Sequence, residues 1–237
     1  MTIKGDVSGA FNQSQTIRVR VLAESFHKEN PNAKKSNHHE TLYGALDIDL
    51  TPQTTLGLGY LYQQRHIHPD NGLPLQGKTL ISLPNKQYYG ANWNRFNSKS
   101  HDLFADVKHE FTNGAVGQVS ARFSKRDIDW NYAFPSSAID KAQTFTAIGT
   151  ARNIQQKAFT FDANYSRPFS TLDNVSEFVI GADYKTFHAE AKNARLPLAK
   201  GERLTVSELN HLPNIDLLIV KSFIIQSIQS RYKERLI

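Results

Sequence analysis

Residues 41–68, TLYGALDIDLTPQTTLGLGYLYQQRHIH, set two alternating segments around the tight turn Thr51-Pro52-Gln53-Thr54. Residues 69–97, PDNGLPLQGKTLISLPNKQYYGANWNRFN, form a long polar excursion. Residues 101–134, HDLFADVKHEFTNGAVGQVSARFSKRDIDWNYAF, then repeat the hairpin around Thr112-Asn113-Gly114. Strand, short turn, strand, long loop is the rhythm of a transmembrane β-barrel, whose turns are short at one rim and whose loops are long at the other. Such a wall has lipid on one side and a polar lumen on the other, and that narrows the function.

Working outward from this run, about eight strand-like stretches emerge. They are Ile3–Phe11, Gln15–Glu29, His39–Leu50, Thr54–His66, Ser100–Phe111, Ala115–Ala133, Ala151–Ser166 and Ser176–Glu190. Most exceed the roughly 5–6 residues usual in globular sheets. They suit the roughly 9–11 residues of a tilted membrane strand, with some projecting beyond the bilayer.

The period of two assigns faces. Ile17, Val19, Val21 and Ala23 oppose Arg18, Arg20 and Glu24; Leu103, Ala105 and Val107 oppose Asp102, Asp106 and Lys108. Phe159, Phe161, Ala163 and Tyr165 oppose Thr160, Asp162 and Asn164, while Phe178, Ile180 and Ala182 oppose Glu177, Asp183 and Lys185. A soluble sandwich would alternate likewise. Strand length, the alternation of tight turns with long loops, and aromatics near strand ends (Tyr60, Tyr62, Phe111, Trp130, Tyr132, Tyr165, Phe169) favour the barrel.

The 237 residues are 39% hydrophobic and 21% charged. No run reaches the roughly 20 apolar residues of a spanning helix, but barrel strands hide half their residues in a polar lumen and give a weak hydropathy signal. Without cysteine there is neither a disulfide framework nor thiolate chemistry. The net charge of +6 is scattered, and no nucleic-acid-binding module is visible, so nucleic acid is not an expected partner. MTIKGDVSGAF lacks a basic stretch followed by an apolar one, so no signal peptide is read there.

After Glu190 the alternation stops. Residues 192–216 read as one more long polar loop, and residues 217–237 as a tail of loosely helical spacing outside the barrel pattern. Residues 1–191 are then the barrel portion.

These segments resemble the TonB-dependent siderophore receptors of the outer membrane, of the ferric-coprogen and ferripyoverdine receptor type. GDVSGAFNQSQTIRVRVLA (5–23), TLYGALDIDLTPQTTLGLGYLYQ (41–63), NGLPL (71–75) with SLPNKQYYGANWNRFNSKSHDLFADVKHEFTNG (82–114), and NVSEFVIGADYKTF (174–187) carry the resemblance, in the family's order. It covers Gly5 to about Lys185. It implies an all-β chain, a segment of about eight strands from a plugged barrel of roughly 22 strands, with the plug domain and TonB box absent from this sequence. It implies an outer-membrane location, a ferric siderophore as transported ligand, the TonB system as partner of the full-length parent, outer-membrane lipid as surroundings, and no enzymatic activity. A truncated, inactive product is a further expectation. A passive porin-like barrel or a soluble β-rich binding protein is the alternative.

Enzymatic motifs such as G-x-S-x-G, H-E-x-x-H and the P-loop do not occur. His66 and His68 form an H-x-H that alternation would put on one strand face, a weak metal-ligand candidate beside the commoner reading of a polar strand end. Asp127 and Asp129 share a face without an acid-base partner. The expected ligand contacts are Tyr88, Tyr89, Trp93 and Arg95 in or beside one long loop, with Trp130 and Tyr132 approaching the next. Aromatic faces can pack on the rings of a bulky chelate, and a guanidinium can bond its oxygens. The same residues could instead form an outer aromatic belt or pack loop against loop.

Overall fold

The computed structural model describes residues 1–30, 35–70, 75–77, 79–80, 87–171, 174–196, 198, 201–215 and 221–236. Its strands are β1 (Thr2–Ala10), β2 (Ile17–Asn30), β3 (Lys35–Thr51), β4 (Thr54–Ile67), β5 (Leu75–Gln76), β6 (Thr79–Leu80), β7 (Arg95–Glu110), β8 (Val116–Pro135), β9 (Phe145–Thr171), β10 (Asn174–Arg195), β11 (Arg203–Leu204) and β12 (Lys221–Leu236). One five-residue helix, α1 (Val206–Asn210), lies between β11 and β12. The long strands pair with their sequence neighbours in one antiparallel sheet, in the order β1-β2-β3-β4-β7-β8-β9-β10-β12, with β11 added on β9 and β5-β6 a separate ribbon. Along that path β1 and β12 each have one neighbour, so the sheet is an open wall.

The tight turns lie at one rim and are built by local chemistry. The Asn12 carboxamide accepts from the Ile17 amide at 3.0 Å and donates to Thr16 Oγ1 at 2.7 Å. Gly114 takes φ +78°, a conformation that costs glycine least, to close the turn after Asn113. The long connections β4–β7, β8–β9 and β10–β12 all leave the opposite rim. The rhythm read from residues 41–134 is therefore the rhythm of the sheet.

The register fixes two faces. One row runs Leu103↔Phe123↔Phe159, and the next runs Ile48↔Leu56↔Val107↔Val119↔Ala163↔Ala182. On this face large apolar groups lie open, Leu103 56% exposed and Val119 45%. The other face is polar, and several of its charges pair. Arg18 grips Asp49 with two bonds at 2.6 and 2.7 Å, Arg20 reaches Asp6 at 2.7 Å, and Arg122 reaches Asp102 at 2.9 Å while Ser124 Oγ also donates to that carboxylate. An apolar face turned outward and a face of paired charges turned inward is the reverse of a water-soluble sheet, and it is what a lipid-embedded wall requires.

Where the strands end differs from the sequence reading. β9 begins at Phe145, inside the loop expected before Ala151, and β10 runs on to Arg195, past the boundary at 191. The expected loop 192–216 contains β11 and α1, and α1 is started by a capping box between Thr205 and Glu208. The tail expected outside the barrel pattern contributes β12, paired with β10 from Phe178↔Leu236 to Asn193↔Lys221. Its sequence holds the β-branched Ile224, Ile225 and Ile228, which favour extended backbone. The open backbone groups along β10 supply the pairing that overrides the weak helical spacing.

Candidate ligand site at the loop rim

The long connections do not hang free of the wall. They pack into a cap with its own hydrophobic core: Tyr89, Ala91, Ala133, Ile139, Phe145, Leu204 and Leu209 are buried together. Ala151, Ala194 and Ile215 form a second small cluster beside it. The strand residues in these clusters, Ala133 of β8, Phe145 and Ala151 of β9 and Ala194 of β10, share the parity of the outward apolar face. Above the apolar belt, then, the outward face of β8–β10 is covered by protein. Gly149 allows the closest approach, since a Cβ there would lie 3.0 Å from Ala133 Cβ and from Leu196 Cβ.

Four asparagines and a tryptophan stitch the cap. Asn94, 4% exposed, accepts from the Ala133 amide at 2.8 Å and donates to the Ala133 carbonyl at 3.0 Å and to Tyr88 Oη at 2.7 Å. Asn210, at the end of α1, donates to the carbonyls of Gly90 at 2.7 Å and Tyr88 at 3.1 Å. Asn131 donates to Asn214. Trp93 Nε1 donates to the Leu212 carbonyl at 2.7 Å. Residues 88–94 and 203–215 are thereby tied to each other and to the upper end of β8.

The six expected contact residues fall on two sides of the sheet. Tyr88 and Tyr89 are 7% and 3% exposed and belong to the cap. Tyr88 Oη donates to the Pro69 carbonyl at 2.6 Å, and burial pushes both phenols above their ordinary pKa. Trp93 packs against both small cores. Arg95 donates from Nε to Asp129 at 2.7 Å, on the outward face.

Trp130 and Tyr132 lie on the opposite face, in the row Phe96↔Trp130↔Arg152 and the row above it. Trp130 stacks on Tyr132 with centroids 5.1 Å apart, and Tyr132 on Phe134 at 5.3 Å. The Arg152 guanidinium lies 4.9 Å from the Trp130 ring. Trp130 Nε1 is buried with no hydrogen-bond partner among the described residues. The sequence reading missed Phe134 and Arg152. Phe134 continues the Trp130-Tyr132 alternation by two residues, whereas Arg152 emerges only from the register of β9.

The histidine pair separates. β4 ends at Ile67, so His68 leaves the strand, becomes 5% exposed and lies 4.8 Å from the Tyr88 ring, while His66 meets the Asn97 carboxamide at 2.5 Å. Among the described residues no group of three or more His, Cys, Asp or Glu side chains is arranged to hold a metal ion. Asp129 pairs with Arg95, and Lys125 lies 3.5 Å from Asp127.

No family model matches the chain. It is 31% identical over 216 residues to the ferric-pyoverdine M114 receptor PbuA of Pseudomonas sp. (strain M114), covering 89% of this chain and 26% of that protein. It is 27% identical over 203 residues to the ferripyoverdine receptor of Pseudomonas aeruginosa, covering 79% of this chain and 24% of that one. The chain thus spans about a quarter of the length of these curated relatives. Among solved structures, the ferripyoverdine receptor of the outer membrane of Pseudomonas aeruginosa bound to ferripyoverdine matches with a TM-score of 0.83 at 19% identity, over 98% of this chain and 32% of that one. The siderophore receptor PiuA of Acinetobacter baumannii matches with a TM-score of 0.71 at 18% identity, over 98% of this chain and 35% of that one. With its wall, its two rims and its sequence relatives taken together, the chain has the fold of part of a siderophore-receptor β-barrel and is similar in sequence to about a quarter of the ferric-pyoverdine receptors.

Proposed function

We propose that this chain forms part of the barrel wall and outer cap of an outer-membrane receptor that takes up a ferric siderophore of the pyoverdine class. The observation that carries this is the sequence match to PbuA across 89% of the chain, on a wall whose apolar face is outward and whose charges pair inward. In this reading the open edges β1 and β12 pair with further strands, because hydrocarbon cannot satisfy their backbone groups. Uptake in the complete receptor is driven by the TonB system, and the role of the chain is transport rather than catalysis.

The chelate contacts are assigned to Trp130 and Tyr132, supported on the same face by Phe134 and Arg152. Their stacked rings offer apolar surface to a chromophore or chelate ring, and Arg152 supplies a charge for its anionic oxygens. Tyr88, Tyr89, Trp93 and Arg95 act one step removed, holding the cap on the outward side.

The test uses the full chain refolded in detergent, with folding followed by heat-modifiable migration. Its two tryptophans, Trp93 and Trp130, make the readout simple. Ferric pyoverdine is expected to quench tryptophan emission saturably in the wild type and in Trp93→Phe, and not in Trp130→Phe. Saturable quenching that survives Trp130→Phe and disappears in Trp93→Phe would move the site to the cap. A heat-modifiable chain with no saturable quenching overturns the assignment.

A further inference from the structure

The outward apolar belt ends on four neighbouring strands at a basic or titratable side chain. On β8 the outward positions run Val119, Ala121, Phe123 and then Lys125, and on β9 they run Ala163, Phe161, Phe159 and then Lys157. β7 ends the same way at His101 and β10 at His188. The register makes these direct neighbours, His101↔Lys125↔Lys157↔His188.

Two lysines directly opposite one another destabilise a sheet pair when nothing neutralises them. The acids nearby do so only in part. Asp127 stands 3.5 Å from Lys125, and Glu190 3.1 Å from His188, whereas Lys157 makes no ion pair among the described residues. On the β4 side the row meets tyrosines. His101 Nδ1 shares a 2.7 Å hydrogen bond with Tyr60 Oη, its ring centroid is 5.1 Å from that of Tyr62, and Lys99 Nζ sits 5.7 Å from the Tyr62 ring. Tyrosines and lysines with apolar stems at the end of an apolar belt mark the headgroup level of a bilayer.

We propose that this row, centred on Lys125 and Lys157, binds the phosphate of an anionic lipid headgroup in the outward leaflet. A phosphate seated between the two ammonium groups cancels the repulsion that the register builds in, and the acyl chains of the same lipid lie along Phe123 and Phe159. A free phosphate ion would gain the first interaction and not the second. The inference rests on the wall being embedded in lipid, as the proposed function requires.

The full chain, refolded in neutral micelles, is titrated with phosphatidic acid and, in parallel, with diacylglycerol of the same chains, and bound lipid is counted by native mass spectrometry. Retention of phosphatidic acid over diacylglycerol is expected. It should fall roughly tenfold to thirtyfold in Lys125→Gln with Lys157→Gln, from the loss of two charges near the headgroup. Lys125→Arg with Lys157→Arg should keep it, as should Arg126→Gln with Lys185→Gln, which removes two charges from the polar face. Equal losses in the last pair would overturn the proposal by reducing it to net charge. Displacement by inorganic phosphate with no dependence on acyl chains would overturn the lipid assignment. Heat-modifiable migration separates the two readings: a folded, inserted chain without headgroup preference sinks this inference alone, and a chain that never inserts sinks both.

Discussion

The wall and the cap use the same residue types in opposite ways. In the wall Leu103, Val119 and Phe123 point outward and stay 56%, 45% and 42% exposed, while arginine–aspartate pairs fill the inner face. In the cap Phe145 and Leu209 are fully buried, and polar groups such as Asn94 are buried with their bonds made. The wall therefore depends on lipid for its hydrophobic stabilisation, and the cap on its own packing in water. One continuous strand, β9, serves both: Phe145 and Ala151 lie under the cap and Phe159 to Ala163 in the belt.

The contrast can be broken from either side. Phe145→Ala leaves a cavity that should cost the cap about 3–5 kcal/mol. The expected result is loss of amide protection in residues 88–94 and 203–215, with heat-modifiable migration of the wall unchanged; loss of that migration would mean the two regions fold as one. Val119→Arg should do the opposite. It should cost about 2–4 kcal/mol of membrane insertion if the site lies near the bilayer midplane, measured by partitioning between urea and vesicles, and leave cap protection intact in the inserted fraction.

The smallest effect concerns acid. Thr144 donates to the Asp140 carboxylate from its amide at 2.9 Å and its hydroxyl at 2.7 Å, and Arg203 lies 2.9 Å away. These hold the Asp140 pKa below its ordinary value. A depressed folded pKa contributes stability above the unfolded value, and that stability is lost as pH falls through the folded one. Acidification through and below the usual aspartate range should loosen the 140–144 turn and the Arg203 tie, seen as faster amide exchange there. Asp140→Asn should show no such acid step.

The same division explains what was legible in the sequence. The faces of β2, β7, β9 and β10 follow from alternation because two different solvents meet at the wall, so a period of two was unavoidable. The cap carries no period. Tyr88, Tyr89 and Trp93 were recognisable as aromatics beside a long loop, but nothing in their spacing says that they turn outward and Trp130 and Tyr132 inward. The inward turn of Trp130 and Tyr132 needs parity counted through the register from β7 to β9, and the cap position of Tyr89 and Trp93 emerges only from their packing against β8 and β9. Asn94 was invisible for a related reason: its value lies in bonds to Ala133, 39 residues away. The extended backbone of β12 could not be read because its pairing with β10 outweighs its own weak spacing.

β9 and β10 stay in register without a shift from Asn174↔Thr171 to Arg195↔Thr150. Because successive residues alternate sides, a single inserted or deleted residue anywhere in that hairpin would exchange the lipid-facing and lumen-facing sets beyond it. Among the described residues the only register shift on the wall sits beside the tight turn at Asp49/Thr51, where little strand lies beyond it. In evolutionary terms the wall can change letter by letter but not in length. Length variation among related sequences should accumulate at the loop rim, where the molecule meets its surroundings, and should be scarce everywhere between the two rims.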